Sequence, residues 1–133
     1  MVRFSPCPDY SPDRCRAALE AVVGDLRWVR PGMRIGIKAN LLHAASPDTA
    51  ATTHPALLKA LTDLLRERGA NVVIGDSPGG LYTAAHLDKV YRVCGLEACG
   101  AELNHDFSVK DGEFPDGKVL KRFIYTEIGR AHV

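Results

Sequence analysis

The sequence has no C-x-x-C pair, no apolar run of membrane length and no excess of either charge. Each absence closes a class of function. Cys7, Cys15, Cys94 and Cys99 are spaced too widely for a zinc knuckle or a ferredoxin run. No segment reaches the roughly 18 consecutive apolar residues that a bilayer requires, so no membrane partner is expected. Seventeen Lys and Arg stand against sixteen Asp and Glu, a net charge of +1; no nucleic-acid partner is expected from that balance. The phosphate loop G-x-x-x-x-G-K-S/T, the dinucleotide fingerprint G-x-G-x-x-G and the hydrolase elbow G-x-S-x-G are all missing. The start, Met1-Val2-Arg3-Phe4-Ser5-Pro6, has no signal-peptide apolar region, and the expected compartment is cytoplasmic. Disulfides are not expected there, and the cysteines read as small buried hydrophobes, with no metal or cofactor held by this chain.

What is present is an ordinary globular composition: 133 residues, 46% hydrophobic and 25% charged. That suits one domain with a real core. Residues 2–7 read as a short first strand. Ser11-Pro12-Asp13 signals a helix start, and Cys15, Ala18, Leu19, Val22, Leu26 and Val29 carry the helical spacing on to about residue 28, with Trp28 in the core. A strand follows at 33–38, then a loop at 39–53. A helix runs over 55–68, with Leu57, Leu58, Leu61, Leu64 and Leu65 as its apolar stripe and Gly69 just past its end. The apolar run 71–75 reads as a strand buried on both faces. A third helix is expected over about 83–94, a short strand at 101–104, and a turn at 115–118 leading into a strand at 119–125. This alternation predicts an α/β fold, a mainly parallel sheet with flanking helices, incomplete at the C-terminus.

In such sheets ligands bind at the C-terminal ends of the strands. Three segments are expected to meet there. Lys38 and Asn40 leave the first strand of the central unit, Thr52, Thr53 and His54 open its helix, and Asp76, Ser77, Gly79 and Gly80 leave its second strand. They offer a cation, hydroxyls, an imidazole, a carboxylate and backbone N–H groups, a set suited to a small anionic ligand. Each residue also has a plain structural role. Thr53 can cap its helix, His54 can be a first-turn residue, Lys38 can be solvated, and the glycines can simply make the turn. Asp76 has several open roles: metal ligand, ribose contact, base, or cap of its own turn. His105-Asp106 reads as a loop pair of structural character.

Several strings carry a family likeness. They are Val29-Arg30-Pro31-Gly32-Met33, Ile37-Lys38-Ala39-Asn40-Leu41-Leu42, Thr52-Thr53-His54-Pro55, Gly75-Asp76-Ser77-Pro78-Gly79-Gly80 and Val119-Leu120-Lys121-Arg122-Phe123. Over about residues 2–126 the chain resembles the N-terminal part of the domain-of-unknown-function 362 family. It departs at Ala39, where the family usually has proline, and at Glu97-Ala98-Cys99-Gly100, which is shorter than the family's helical insert. The resemblance implies a longer protein, a ferredoxin-like module with 4Fe–4S clusters in a later part, and a redox partner. It implies no particular reaction. Two alternatives stand beside a redox-linked protein: a non-catalytic ligand-binding or electron-transfer adaptor, and a nucleotide-dependent oxidoreductase, which the missing fingerprint disfavours.

The last residues fit nothing before them. Ile128-Gly129-Arg130-Ala131-His132-Val133 resembles a translated sequencing adapter: ATC GGA AGA GCA CAC GTC followed by the stop TGA would encode it, and Glu127 as GAG would accommodate the two preceding adapter bases. The expectation is therefore a genuine domain over residues 2–126 and a non-native tail at 127–133, with a poorly packed strand end and marginal stability. Resequencing the source locus from outside primers should reveal an open frame running past codon 126. A natural stop after Val133 refutes the adapter origin.

Overall fold

The computed structural model describes residues 2–80, 83–105, 108–113 and 119–125, with side chains as far as residue 105. Helix α1 spans Pro12–Val23, with proline in its first turn and Asp13 beside the N-terminal positive end. It stops five residues short of the expected end. Gly24 takes φ +73° and Leu26 takes φ +51°, and a helix cannot continue through left-handed backbone. Leu26 and Val29 are still buried, but from a loop, and Trp28 is 58% exposed rather than in the core. The expected first strand is also absent. Residues 2–7 have no ladder, and Val2 and Phe4 stand almost wholly in solvent.

The central unit is as expected: strand β1, Arg34–Lys38; helix α2, Pro55–Glu67; strand β2, Asn71–Gly75. β1 and β2 pair in parallel, Ile35 against Val72, Ile37 against Ile74 and Lys38 against Gly75. β2 is buried from Val72 onward, the pattern of an interior strand. After helix α3, Ala84–Val93, and a 3-10 turn at Leu96–Cys99, strand β3 at Glu102–Leu103 adds to the other side of β2, again in parallel. The sheet order is β1-β2-β3, and the fold is α/β.

Strands β4, Ser108–Glu113, and β5, Val119–Tyr125, form a separate antiparallel pair with an irregularity between Lys110 and Gly112. The expected strand at 119–125 is thus paired along one edge by β4, not left with both edges open. The turn expected at 115–118 and the tail after Tyr125 lie outside the described residues.

One apolar cluster unites the parallel sheet with its helices. Leu41, Ile74, Leu87, Val90, Tyr91 and Leu96 are its best-covered members. Arg16 ties α1 to α2 with a two-pronged pair to Glu67, Nη1 to Oε1 at 2.6 Å and Nη2 to Oε2 at 2.8 Å, and this pairing holds the Glu67 carboxyl below its ordinary value. The pair is exposed, so it sets geometry more than stability.

Helix α2 ends at a tight crossing. Gly69 takes φ +83°, its carbonyl accepts from the Gly32 N–H at 2.9 Å, and a Cβ there would meet Pro31 Cα at 3.0 Å. Gly32 has the same φ with open space around it. Gly32→Ala should therefore cost about 1 kcal/mol, the conformational part alone. Gly69→Ala should cost roughly 2 kcal/mol or more, since a backbone contact is added. Urea denaturation of the two variants checks the difference.

Candidate functional site

β1 and β2 end side by side, and a buried carboxylate joins the turns beyond them. Asp76, the first residue after β2, is 7% exposed. Its Oδ1 lies 2.8 Å from Lys38 Nζ, and its Oδ2 accepts the Leu41 N–H at 2.8 Å. One side chain thus fixes both the last residue of β1 and the turn after it. Between them, the Ala39 N–H reaches the Gly75 carbonyl at 3.0 Å and carries the ladder one rung past the strand. A proline at this position would have no N–H to give.

The helix entry is sewn to the same turn. Thr53 Oγ1 accepts the Asn40 N–H at 2.9 Å, and the Thr53 N–H donates to the Asn40 carbonyl at 2.8 Å. Thr53 is therefore not the cap of α2. That place belongs to His54, whose Nδ1 accepts the Ala56 N–H at 3.2 Å. Tyr10 stacks on the His54 ring at a centroid distance of 3.6 Å and an interplanar angle of 6°. The Leu57 and Leu58 N–H groups both point to the His54 carbonyl, and Pro55 has none. The first turn of α2, expected to present open donors, has its N–H groups occupied within the chain.

The third segment is held in the same way. The Gly79 N–H donates to the Leu42 carbonyl at 2.8 Å, and the Gly79 carbonyl contacts His86 Nε2 at 3.1 Å. Gly80 takes φ +115°, and a Cβ there would stand 3.0 Å from the His86 ring. Only glycine suits that position. Ser77 and Asn40 are exposed, and Lys38 keeps 45% of its side-chain surface in solvent. The Thr52 hydroxyl is buried without a hydrogen-bond partner. Such an orphan is uncommon in a native interior.

Lys38, Asn40, Thr53, His54, Asp76, Ser77, Gly79 and Gly80 thus belong to three segments linked by direct contacts at one end of the sheet. Sequence reasoning did not select Leu41, Leu42, Tyr10, His86 and Tyr91, which complete the arrangement. Leu41 and Leu42 act through backbone groups, which carry no residue signature. His86 had a legible signal, since it lies three residues into the helix that Thr83 caps. Tyr91, fully covered, donates to the Asn104 carbonyl at 2.5 Å. Burial pushes its phenol above the ordinary range, with the Asp76 carboxylate adding to the rise and a backbone hydrogen bond from Asp76 opposing it.

His105 pairs not with its neighbour but with Asp88, Nε2 to Oδ1 at 2.8 Å, while Nδ1 faces the Leu103 carbonyl at 2.8 Å. Asp106 lies outside the described residues. Cys15, Cys94 and Cys99 are buried, as small hydrophobes should be, whereas Cys7 is exposed. Cys94 donates to the His43 carbonyl and Cys99 to that of Pro55. Among the described residues no three His, Cys, Asp or Glu side chains come together as metal ligands. No helix among the described residues is long and apolar enough to cross a membrane.

A family model described as "Domain of unknown function (DUF362)" matches residues 35–131. The chain is 36% identical over 63 residues to the "Thylakoid-associated protein sll1697" of Synechocystis sp., a match that covers 47% of this chain and 20% of that relative. The chain therefore aligns with about a fifth of the relative's length. No solved structure matches it.

Burial raises the Cys99 thiol and the Tyr91 phenol, as it does the Cys15 thiol, and each makes the fold sensitive to alkaline pH. Cys99, pushed up by burial from 9.0 to about 11, and Tyr91, raised from 10.0, stay neutral in the folded chain at pH values where the unfolded chain ionises them. Their contribution is complete below about pH 9 and is lost as pH rises toward 11 and beyond, by up to about 1.4 kcal/mol per pH unit for each group. Denaturation midpoints measured from pH 8 to 11 should fall accordingly, and Cys99→Ala should flatten the first part of that fall.

Proposed function

The chain belongs to the DUF362 family, and from that premise we propose that it forms a module whose strand ends hold a small anionic ligand. The observation that carries this reading is the Lys38–Asp76 pair at the C-terminal ends of adjacent parallel strands. Asp76 holds the ammonium in place. Nearly half of the Lys38 side chain still faces solvent, which leaves N–H donors for a phosphate or carboxylate. The exposed Asn40 and Ser77 stand on the same turns. Gly79 and Gly80 let the backbone lie close to a bound molecule. The roles in this reading are binding and orientation. No residue is assigned a catalytic step.

The iron–sulfur and redox setting belongs to the same proposal and rests on the family resemblance. The clusters would lie outside this chain, and no step is routed through them.

A second reading, the non-catalytic adaptor, is favoured by one observation. The N–H groups of the α2 entry and of Gly79 are already satisfied within the chain, so the turns need no ligand to be complete.

Inorganic phosphate titrated into the chain, followed by backbone amide NMR shifts, separates the two. The binding reading expects saturable shifts at residues 38–41, 52–54 and 76–80. Lys38→Ala should weaken the response by about tenfold, the size of one charge-assisted contact. Shifts that are absent, or unchanged in Lys38→Ala, favour the adaptor.

A further inference from the structure

The N-terminal arm runs back along α1 and sets one thiol against another. Near the end of the helix, Arg3 Nη1 donates to the Val22 carbonyl at 3.4 Å. At the helix start, Asp9 gathers the arm. Its Oδ1 accepts the Ser11 N–H at 2.9 Å, its Oδ2 pairs with Arg14 Nε at 3.1 Å, and its carbonyl accepts from the Cys7 thiol at 3.2 Å. From Arg3 to Cys7 the chain spans at most about 14 Å. From Val22 back to Cys15 the helix spans about 10 Å. The arm therefore brings Cys7 level with Cys15, and the two thiols are hydrogen-bonding neighbours. Burial first, and next that contact with Cys7, hold the Cys15 thiol above its ordinary value, with Asp9 adding a smaller push.

The two thiols are unequal. Cys7 is exposed and Cys15 is wholly buried, so an oxidant from solution meets Cys7 first. The remaining thiols are turned elsewhere, Cys94 to the His43 carbonyl and Cys99 to that of Pro55. Between the paired cysteines lies Tyr10, whose ring stacks on His54 at the entry to α2. The arm is otherwise held weakly, by an exposed ion pair, an exposed hydrogen bond and that one stacked ring, with Val2 and Phe4 in solvent. A covalent link between residues 7 and 15 would decide whether Tyr10 stays on His54.

We propose that Cys7 and Cys15 form a reversible redox-modification site, oxidised by a small disulfide of the glutathione type to a bridge that fastens the arm, and Tyr10 with it, over the entry to α2. In the first step the Cys7 thiol gives its proton to water and its sulfur attacks one sulfur of the small disulfide. The S–S bond there breaks, and one small molecule leaves as a thiolate that takes up a proton. In the second step the Cys15 thiol loses its proton, its sulfur attacks Cys7 Sγ, and the other small molecule leaves as a thiol. Two protein thiols are oxidised by two electrons, and one small disulfide is reduced to two thiols. Excess small thiol reverses both steps. A reducing compartment admits a regulatory bridge of this kind where a permanent structural disulfide is not expected. The site needs no ligand at the strand ends, so its failure leaves the binding reading untouched.

The full chain is equilibrated with mixtures of oxidised and reduced glutathione, alkylated, then denatured and digested with trypsin for mass spectrometry. Arg14 lies between the two cysteines, so the bridge is read as peptide 4–14 joined to peptide 15–16. The expected result is this joined species, growing with the oxidised fraction and lost when reduced glutathione is added. On the folded chain, chymotrypsin should cut after Tyr10 at least about tenfold more slowly in the oxidised form than in the reduced one. Cys7→Ser, an exposed substitution checked by circular dichroism, should abolish both the joined peptide and the protection. Cys7 found only as its glutathione adduct, or joined to Cys94 or Cys99, overturns the proposal. So does a bridge between Cys7 and Cys15 that leaves the cut after Tyr10 as fast as before.

Discussion

Almost everything at the C-terminal edge of this sheet hangs on where one carboxylate is placed. Asp76 is buried, and a buried ionised group must have its partners at hand. It has them because β1 and β2 are parallel and in a register that ends both strands at the same level. Lys38 then reaches one oxygen, and the turn that β1 makes presents the Leu41 amide to the other. Without that carboxylate, the first turn would lose its anchor and the Leu41 N–H would be left buried and unpaired, a penalty of about 1–3 kcal/mol. The second anchor, Thr53 to Asn40, depends on the first, since it ties the helix entry to a turn that Asp76 has already placed.

How much of this was legible differs by element. The β1-α2-β2 unit was read almost residue for residue, because its signals are local and agree. There is an apolar stripe at helical spacing, basic residues and Gly69 at the helix end, and a wholly apolar strand after it. The excess length given to α1 has an equally local cause that periodicity hides. Leu26 and Val29 continue the apolar spacing and are indeed buried, but Gly24 has already broken the helix, so spacing alone could not tell a buried loop from another turn. The strand expected at residues 2–7 did not form: that stretch joins no ladder and lies mostly in solvent.

The candidate site was legible as a set of segments and not as a set of contacts. Topology alone sends Lys38, Thr53 and Asp76 to one edge, and the sequence carries that topology. Which hydroxyl caps the helix and which ties down the turn depends on distances that neighbouring residues settle. Thr53 and His54 exchanged their expected parts because the hydroxyl found the Asn40 amide and left the Ala56 amide to an imidazole. Backbone donors such as Leu41 and Gly79 leave no trace in composition, so the internal satisfaction of these turns could only be seen in the fold.

Ala39 has a further consequence. Its amide is the last rung of the ladder, given to the Gly75 carbonyl, with only 2% of the residue exposed. A proton in that position leaves for solvent only when the strand ends part. Ala39 is thus a built-in clock for the opening of this edge. In a chain with proline there, the clock would have no hand.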